Sequence, residues 1–347
     1  MPQIPFDDQQ CNIFIRDSKT HYDNPETSNP EIIRWKFMGF QSHPSYHLSI
    51  PNSDKQSNSG RAVLNSRTLN FQGHYKKITQ VTDLLSVKSK ASLMTFIELI
   101  KQYRSLSTDG VFHTSNENSE KIYSNFFKFK EIFELSAFAF PIQPQKLITF
   151  FKRHLFLSKI IEIYSIALFV LMKFIKSVNP ISLSNIVTPD QVSILLKDFS
   201  SREVSFLRSE EFLTWRYLNA PYAYKSYVVY FRKKPIGILA ARLTQFQGAY
   251  FFLVMDYISS APIGAWEGFG LRLALISEAI AQNADAIFGL FNRKNRDLAT
   301  FFQAPFLAVN DKMLPHRSPI FASSLAPSLK AEELERMYFS LGDLDYF

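Results

Sequence analysis

The chain has 347 residues, of which 46% are hydrophobic and 20% are charged, and its formal net charge is +8. This length and composition exclude a single small module and a disordered chain, and they fit two domains of average size. The one cysteine, Cys11, excludes a disulfide scaffold and a metal centre held by several cysteines.

The N-terminal part begins with MPQIPFDDQQ, which carries two acids and no apolar run. We therefore expect no secretory signal peptide and a cytoplasmic protein. Hydrophobic periodicity predicts a helical stretch that ends near Trp35. It then predicts a strand, a helix, a strand and a helix, at 81–87, 93–105, 110–114 and about 119–127. His43 and His47 have metal-ligand spacing, but Pro44 between them argues against a helix, so we expect no metal site.

The middle of the chain concentrates the positive charge. Residues 145–181 hold six Lys or Arg and one acid, whereas 1–144 and 201–347 each have a net charge of only +2. Because the flanking parts are close to neutral, we expect no nucleic-acid partner. On a helix, the charged residues of 152–178 fall within one arc and apolar residues lie opposite. This amphipathic connector either buries its apolar face in the protein, lies peripherally on the inner face of an anionic membrane, or spans the membrane.

The C-terminal part has clear strand and helix patterns. Alternation around a turn at 233–237 indicates a hairpin, and a long apolar run indicates a central strand. The predicted elements are strands 226–231, 236–242 and 249–259, a loop 260–270, a helix 271–284, a strand 286–290 and a helix after Asn292.

An internal repeat relates the two parts. The order acid, two apolar residues, polar residue, Trp, base, aromatic residue occurs at 31–37 and again 180 residues later at 211–217. Further landmarks recur at offsets from 173 to 182: Asp8-Gln9 with Asp190-Gln191, 80–85 with 253–258, and Asn116 with 292–295. Nearly constant offsets predict two copies of one domain.

We expect an N-terminal copy at 1–144, the connector at 145–181 and a C-terminal copy at 182–347. In each copy helices precede antiparallel strands, which are followed by a strand, a loop, a helix, a strand and a helix. This order predicts a mixed α/β fold in which each copy has a mostly antiparallel mixed sheet flanked by helices.

Three motifs resemble the GNAT superfamily of N-acyltransferases in its tandem-domain form. One is the sequence from Ala265 to Gly270, AWEGFG, where the family has Gln/Arg-x-x-Gly-x-Gly/Ala between a strand and a helix. Another is Asn116 followed by Tyr123, similar to the family's Asn-x6-Tyr. The last is the Trp motif with the following 219–221, NAP, which looks like a signature of tandem acyltransferases of envelope-polysaccharide pathways.

The resemblance implies that acyl-CoA, in the simplest case acetyl-CoA, is the donor and that no metal takes part. It implies that backbone at 254–257 polarises the thioester carbonyl, and that N–H groups near the glycines hold the pyrophosphate. It also implies that Tyr123 is the general acid. The implied donor-binding residues are Val254, Tyr257, Gly268, Phe269, Gly270, Leu271, Asn292 and Asn116.

Several of these residues also have a purely structural interpretation. The glycines could serve only the entry into a helix, Tyr123 could be an ordinary core tyrosine, and the two asparagines could cap helices. Asp256, in a central strand, is either a general base or a structural acid.

The two copies also depart from the family pattern in different ways. The N-terminal copy has no glycine at 87–92 and would rely on Lys88 and Lys90, and Lys128 stands where the family has Gly. The C-terminal copy has Ala265 in place of Gln or Arg and lacks the tyrosine.

The resemblance thus implies an N-acyltransferase that moves an acyl group from acyl-CoA to an amine, such as an amino sugar of an envelope-polysaccharide precursor. One alternative is a degenerate tandem domain that acts as a binding or scaffold protein. A less favoured alternative is a Fem-type aminoacyl transferase that uses charged tRNA, against which the near-neutral copies argue.

Overall fold

A computed structural model gives the architecture of most of the chain. It describes residues 4–22, 25–51, 58–71, 73–87, 92–104, 108–115, 117–143, 163, 166, 170, 179–186, 192–309 and 318–344. The predicted connector lies largely outside these residues, as does Asn116.

The N-terminal half starts with helices and continues into long antiparallel strands. Its elements are β1 Ile4–Pro5, α1 Asp8–His21, α2 Pro30–Met38, β2 Ser45–Pro51, β3 Asn58–Phe71, β4 His74–Ser86, α3 Ser92–Arg104, β5 Val111–Thr114, α4 Glu117–Lys121 and β6 Lys130–Pro141. Side-chain caps explain where the first helices begin, because Asp7 accepts from the Gln10 N–H and Asn29 accepts from the Glu31 N–H.

The C-terminal half repeats this order and adds short strands and a helix of its own. They are β7 Ile181–Asn185, α5 Ser193–Arg202, β8 Val204–Phe206, α6 Glu210–Leu213, β9 Tyr224–Phe231, β10 Lys234–Phe246, β11 Ala249–Ser259, α7 Ala265–Ala281, β12 Ala286–Asn292, α8 Arg296–Phe301, β13 Leu307–Ala308, β14 Pro319–Ser323 and α9 Ala331–Leu334. A single turn of 3₁₀ helix, Leu341–Asp343, follows. The predicted mixed α/β class and the two tandem copies are confirmed.

One continuous sheet runs through both copies. Its order is β1-β2-β3-β4-β5-β14-β6-β12-β11-β10-β9-β7. The copies exchange strands where they meet, because β14 of the second half pairs with β5 of the first, and β6 of the first half pairs with β12 of the second. Each half therefore completes the sheet of the other, and the main apolar core extends across the junction.

The repeated Trp motif forms a symmetric contact between the copies. The indole N–H of Trp35 donates to the carbonyl of Trp215 at 2.8 Å, and the indole N–H of Trp215 donates to the carbonyl of Trp35 at 2.8 Å. The two rings stack with centroids 5.5 Å apart. Such a reciprocal contact is what two related copies make when they pack about a local two-fold axis.

Most predicted elements occur in the structure, but several boundaries differ: β4 begins at His74 rather than at 81, and β10 extends to Phe246. The hairpin β9–β10 and the strand β11 lie where the sequence placed them. The loop predicted over 260–270 is shorter, because α7 already begins at Ala265. The carboxylate of Glu267 accepts the backbone N–H of Gly264 at 2.9 Å and so caps the helix early. Gly268 and Gly270 therefore lie inside a helix.

Candidate active site

Each copy contains a pair of parallel strands that pair over a few residues and then separate. In the N-terminal copy, β4 and β5 pair from Thr79 to Val81. In the C-terminal copy, β11 and β12 pair from Phe251 to Val254. We call the openings beyond these points the N-terminal split, along 82–86 of β4, and the C-terminal split, along 255–259 of β11.

A β-bulge lies at the start of each split. Thr82 is the extra residue between β4 and β3, and Met255 is the extra residue between β11 and β10. The two bulges are 173 residues apart, which is the offset of the sequence repeat in this region. Because a bulge bends its strand, it accounts for the loss of pairing just beyond Val81 and Val254. Backbone N–H and C=O groups released in this way can bind an extended ligand as an added strand would.

The C-terminal split is filled by the chain itself. We call residues 337–344 the C-terminal segment. Its Ser340 forms a bridge with Phe291 of β12, and the Asn292 N–H donates to the Phe339 carbonyl at 2.9 Å. On the opposite side, the backbone N–H of Tyr257 donates to the hydroxyl of Tyr338 at 2.9 Å. The segment thus contacts both strands that border the split.

Asp256, the predicted base, anchors this segment. Its carboxylate accepts hydrogen bonds from Arg208 at 2.9 Å, Tyr217 at 3.0 Å and Ser340 at 3.0 Å. It also contacts the hydroxyl of Tyr338. These partners surround a carboxylate that is 1% exposed, which fits the structural role.

Arg208 extends the buried network to a second acid. Its Nη2 donates to Asp343 at 2.7 Å, and neither side chain is more than 1% exposed. Burial raises the pKa of the Asp343 carboxyl, and the charge of Arg208 opposes that rise. The pair ties the C-terminal segment to the loop before α6.

Close packing accounts for the two glycines of α7. A Cβ on Gly270 would come within 2.8 Å of the Asn179 side-chain oxygen and 2.9 Å of Ile181. A Cβ on Gly268 would approach Arg272 to 3.2 Å. The glycines therefore let α7 lie close to β7 and α8. The acid at the start of α7, Glu267, stands where the family likeness would place a pyrophosphate.

The other predicted donor residues of the C-terminal copy are mostly core or capping residues. Val254 and Leu271 are buried in the main core, and Phe269 packs against it. The side chain of Asn292 donates to two carbonyls just before and within the C-terminal segment, those of Glu335 and Met337, both at 2.9 Å.

Tyr123, the predicted acid, lies inside the N-terminal copy. It is 1% exposed and packs against the rings of Phe96, His113 and Phe129. Burial raises its pKa, and its hydroxyl bonds to Tyr103. A substrate reaches this hydroxyl only if the surrounding rings move, so the position fits the core interpretation.

A buried polar chain continues from Tyr103. Its hydroxyl lies 3.3 Å from Nδ1 of His113, whose Nε2 lies 3.3 Å from Ser323. Burial lowers the pKa of His113 to about 3, so the imidazole is neutral. Lys128 adopts φ +55°, the backbone region that favours glycine, at the position where the family has Gly.

The N-terminal split differs from its counterpart in its surroundings. Asp83, the residue aligned with Asp256, pairs with Arg61 at 3.3 Å and is partly exposed. The hydroxyl of Ser115, directly after β5, is buried and has no hydrogen-bond partner. Leu93 and Met94, in the first turn of α3, are 54% and 65% exposed.

A cavity of about 370 Å³ lies between the copies. It is bordered by Gly73 of the β3–β4 turn, by Tyr75 of β4, and by Lys197, Ser200 and Ser209 in or near α5 and α6. Within the described ranges, no three His, Cys, Asp or Glu side chains are grouped to hold a metal ion. None of the described helices has both the length and the hydropathy of a bilayer-spanning segment.

Comparison with solved structures identifies this architecture. Saccharomyces cerevisiae N-myristoyltransferase with bound myristoyl-CoA matches with a TM-score of 0.57 at 12% sequence identity, over 92% of this chain and 80% of the other. A conserved protein of Enterococcus faecalis V583, described as a probable N-acyltransferase, matches with a TM-score of 0.53 at 9% identity, over 94% and 72%. The chain has the GNAT N-acyltransferase fold.

A further GNAT-fold neighbour is the GCN5-related N-acetyltransferase of Anabaena variabilis, with a TM-score of 0.53 at 9% identity over 91% of this chain and 70% of the other. No protein-family model and no curated protein matches the sequence. The family resemblance seen in the motifs is thus confirmed at the level of the GNAT fold.

Sequence reasoning missed the C-terminal segment. Its buried run, Met337 to Leu341, reads MYFSL and could be recognised as apolar, but nothing local connects it to a split more than 80 residues upstream. The β-bulges were also missed, since a bulge depends on the pairing of two strands and has no fixed sequence pattern.

Proposed function

We propose that the protein transfers an acyl group from acyl-CoA to an amine. The observation that carries the proposal is the split with a β-bulge at its start, repeated at aligned positions in both copies. It supports donor binding because an extended pantetheine arm can pair with released backbone groups, as an added strand does.

In the proposed reaction a neutral amine attacks the thioester carbonyl. Backbone N–H groups beside the bulge stabilise the negative charge that develops on the carbonyl oxygen. The carbon–sulfur bond then breaks, the CoA thiolate takes up a proton, and the amine loses one. Tyr123 as the proton donor and Asp256 as the base remain predictions, and their burial means that each would act only after the packing around it opens.

The acyl chain and the acceptor are finer parts of the proposal. The neighbour from Saccharomyces cerevisiae is described with bound myristoyl-CoA, so chains longer than acetyl belong in any donor screen. The choice of an amino-sugar amine on an envelope-polysaccharide precursor as the acceptor is supported by the Trp motif alone. Peptide amines should be screened beside it.

Peripheral membrane contact through 152–178 also remains a proposal. Ile163, Ile166 and Val170 are helical and more than half exposed, and the six bases of 145–181 suit an anionic surface. Co-sedimentation with vesicles of phosphatidylglycerol, compared with phosphatidylcholine, tests it. Equal pelleting with both lipids would contradict the charge argument.

A binding or scaffold role is the second candidate. The observation that favours it is the C-terminal segment, which fills one of the two splits. Under this alternative neither split binds a CoA thioester.

Calorimetric titration with acetyl-CoA and decanoyl-CoA separates the two candidates. The proposal predicts saturable binding and a rise in melting temperature, followed by amine-dependent release of free CoA. Failure of both thioesters to bind would refute acyl transfer and favour the scaffold role. Gly268→Glu tests the predicted donor residues of α7, and it should be compared with the variants described below.

A further inference from the structure

We propose that the C-terminal segment stands permanently in the place of a donor, so that each chain binds one acyl-CoA, in the N-terminal split. This inference rests on the proposed function and assigns the site within it. The argument compares the occupants, the anchoring and the charge of the two splits.

The first step concerns the backbone groups of the C-terminal split. Just past the bulge, the Tyr257 N–H already donates to the Tyr338 hydroxyl at 2.9 Å. Across the split, the Asn292 N–H donates to the Phe339 carbonyl at 2.9 Å. The groups that a thioester arm would use on both strands are therefore satisfied by the chain's own residues.

The second step concerns how firmly the segment is held. Asp343 forms a fully buried ion pair with Arg208, and Arg216 donates to the Leu344 carbonyl at 2.7 Å. A Cβ on Gly342 would overlap the Tyr217 hydroxyl and approach the Met255 carbonyl to 3.0 Å, so the backbone lies directly against the bulge. A ligand that displaced the segment would take Asp343 away from Arg208 and Ser340 away from Asp256, and buried charges would lose their partners, so the segment is not displaced readily.

The third step concerns the charge of the sequence that follows the central strand in each copy. The stretch 260–270 before and within the start of α7 contains one acid, Glu267, and no base. The aligned stretch 87–97 contains two bases, Lys88 and Lys90, and no acid. Because CoA carries a pyrophosphate, this difference in composition favours the N-terminal copy as the one that binds it.

The N-terminal split also retains an unsatisfied polar group. The Ser115 hydroxyl is 5% exposed at the residue level and has no hydrogen-bond partner, although buried hydroxyls normally have one. Its place directly after β5 is at the carboxyl end of the strands that separate. A bound donor would supply the missing partner.

Acidic substitutions at the two helix starts test the inference. Leu93→Glu with Met94→Glu places two acids in the exposed first turn of α3. Trp266→Glu places one acid in the first turn of α7, at the position aligned with Leu93, and Trp266 is 83% exposed. All three side chains face solvent, and acids in a first turn suit a helix, so both variants fold. Circular dichroism and melting temperature verify this.

The probe is decanoyl-CoA in a calorimetric titration. We expect one site per wild-type chain, affinity at least tenfold weaker in the α3 double variant, and affinity within twofold of wild type for Trp266→Glu. Two sites per wild-type chain, or weakening by Trp266→Glu alone, would overturn the inference and leave acyl transfer intact. No binding by the wild type would refute the proposed function itself.

Discussion

Removal of the buried arginine that holds the C-terminal segment should destabilise the protein strongly. Arg208 is fully buried and donates to Asp256 at 2.9 Å, to Asp343 at 2.7 Å and to the Phe206 carbonyl at 3.3 Å. Arg208→Met fills similar space but leaves two carboxylates buried without a cation. Breaking a buried pair by removing one partner costs about 3–5 kcal/mol. We expect a loss of this size in the free energy of unfolding, measured by urea titration with tryptophan fluorescence.

The pH dependence gives the same experiment a second readout. Burial already raises the pKa of Asp343, and without Arg208 it rises further. A carboxyl whose pKa is raised on folding binds its proton more tightly in the folded state, so lowering the pH stabilises the folded variant relative to the unfolded chain. The deficit of Arg208→Met should therefore be smaller at pH 5 than at pH 8.

A matched control uses an exposed ion pair. Arg34 and Asp8 are 3.0 Å apart, with side chains 49% and 72% exposed, so Arg34→Met should change stability little. If Arg208→Met costs no more than this control, or if its deficit is the same at pH 5 and pH 8, the buried network does not hold the segment as argued.

Three further predictions address the copy contact, the segment and the buried histidine. Trp35→Phe and Trp215→Phe each remove one indole donor, so urea titration should show a loss of at least about 1 kcal/mol for each, larger for the more buried Trp215, and no loss from either would contradict the reciprocal contact. Gly342→Ala should lower the melting temperature by several degrees, since its Cβ overlaps the Tyr217 hydroxyl; no change would mean that the segment is loosely packed. His113, with its pKa lowered to about 3, takes up a proton on unfolding, so stability falls as the pH drops below about 6.5. His113→Gln should show a shallower fall between pH 6.5 and 4, and an identical slope would contradict this reasoning.

The repeat and the fold class could be predicted because they leave a local record in the sequence. Trp35 and Trp215 face each other across the copy contact, and the residues around them are of the same types in the same order in both copies. Strands such as β11 are recognisable because a central strand must be apolar along its length. The order of these elements predicted the mixed α/β class, and the resemblance of three motifs pointed to the GNAT fold.

The site could be predicted only in part. The glycines within 265–270 are typical of a loop, but Glu267 has the spacing from Gly264 of a capping signal, and α7 therefore starts at Ala265. Asp256 was correctly placed in a central strand, but its partners come from Arg208 and from Tyr338 and Ser340, 82 and 84 residues further along. These side-chain contacts depend on how distant segments fold back onto each other, and the exchange of β6 and β14 between the copies depends on the same thing. No local sequence pattern predicts either of them.

Hydrogen–deuterium exchange with and without decanoyl-CoA tests the central claim most directly. Acyl-CoA binding in the N-terminal split predicts slower exchange at 82–86, at 111–115 and in the first turn of α3, with 255–259 unchanged because the C-terminal segment already protects it. Slower exchange confined to 255–259 and the start of α7 would contradict the assignment to the N-terminal split. No change anywhere at saturating thioester would contradict acyl-CoA binding altogether.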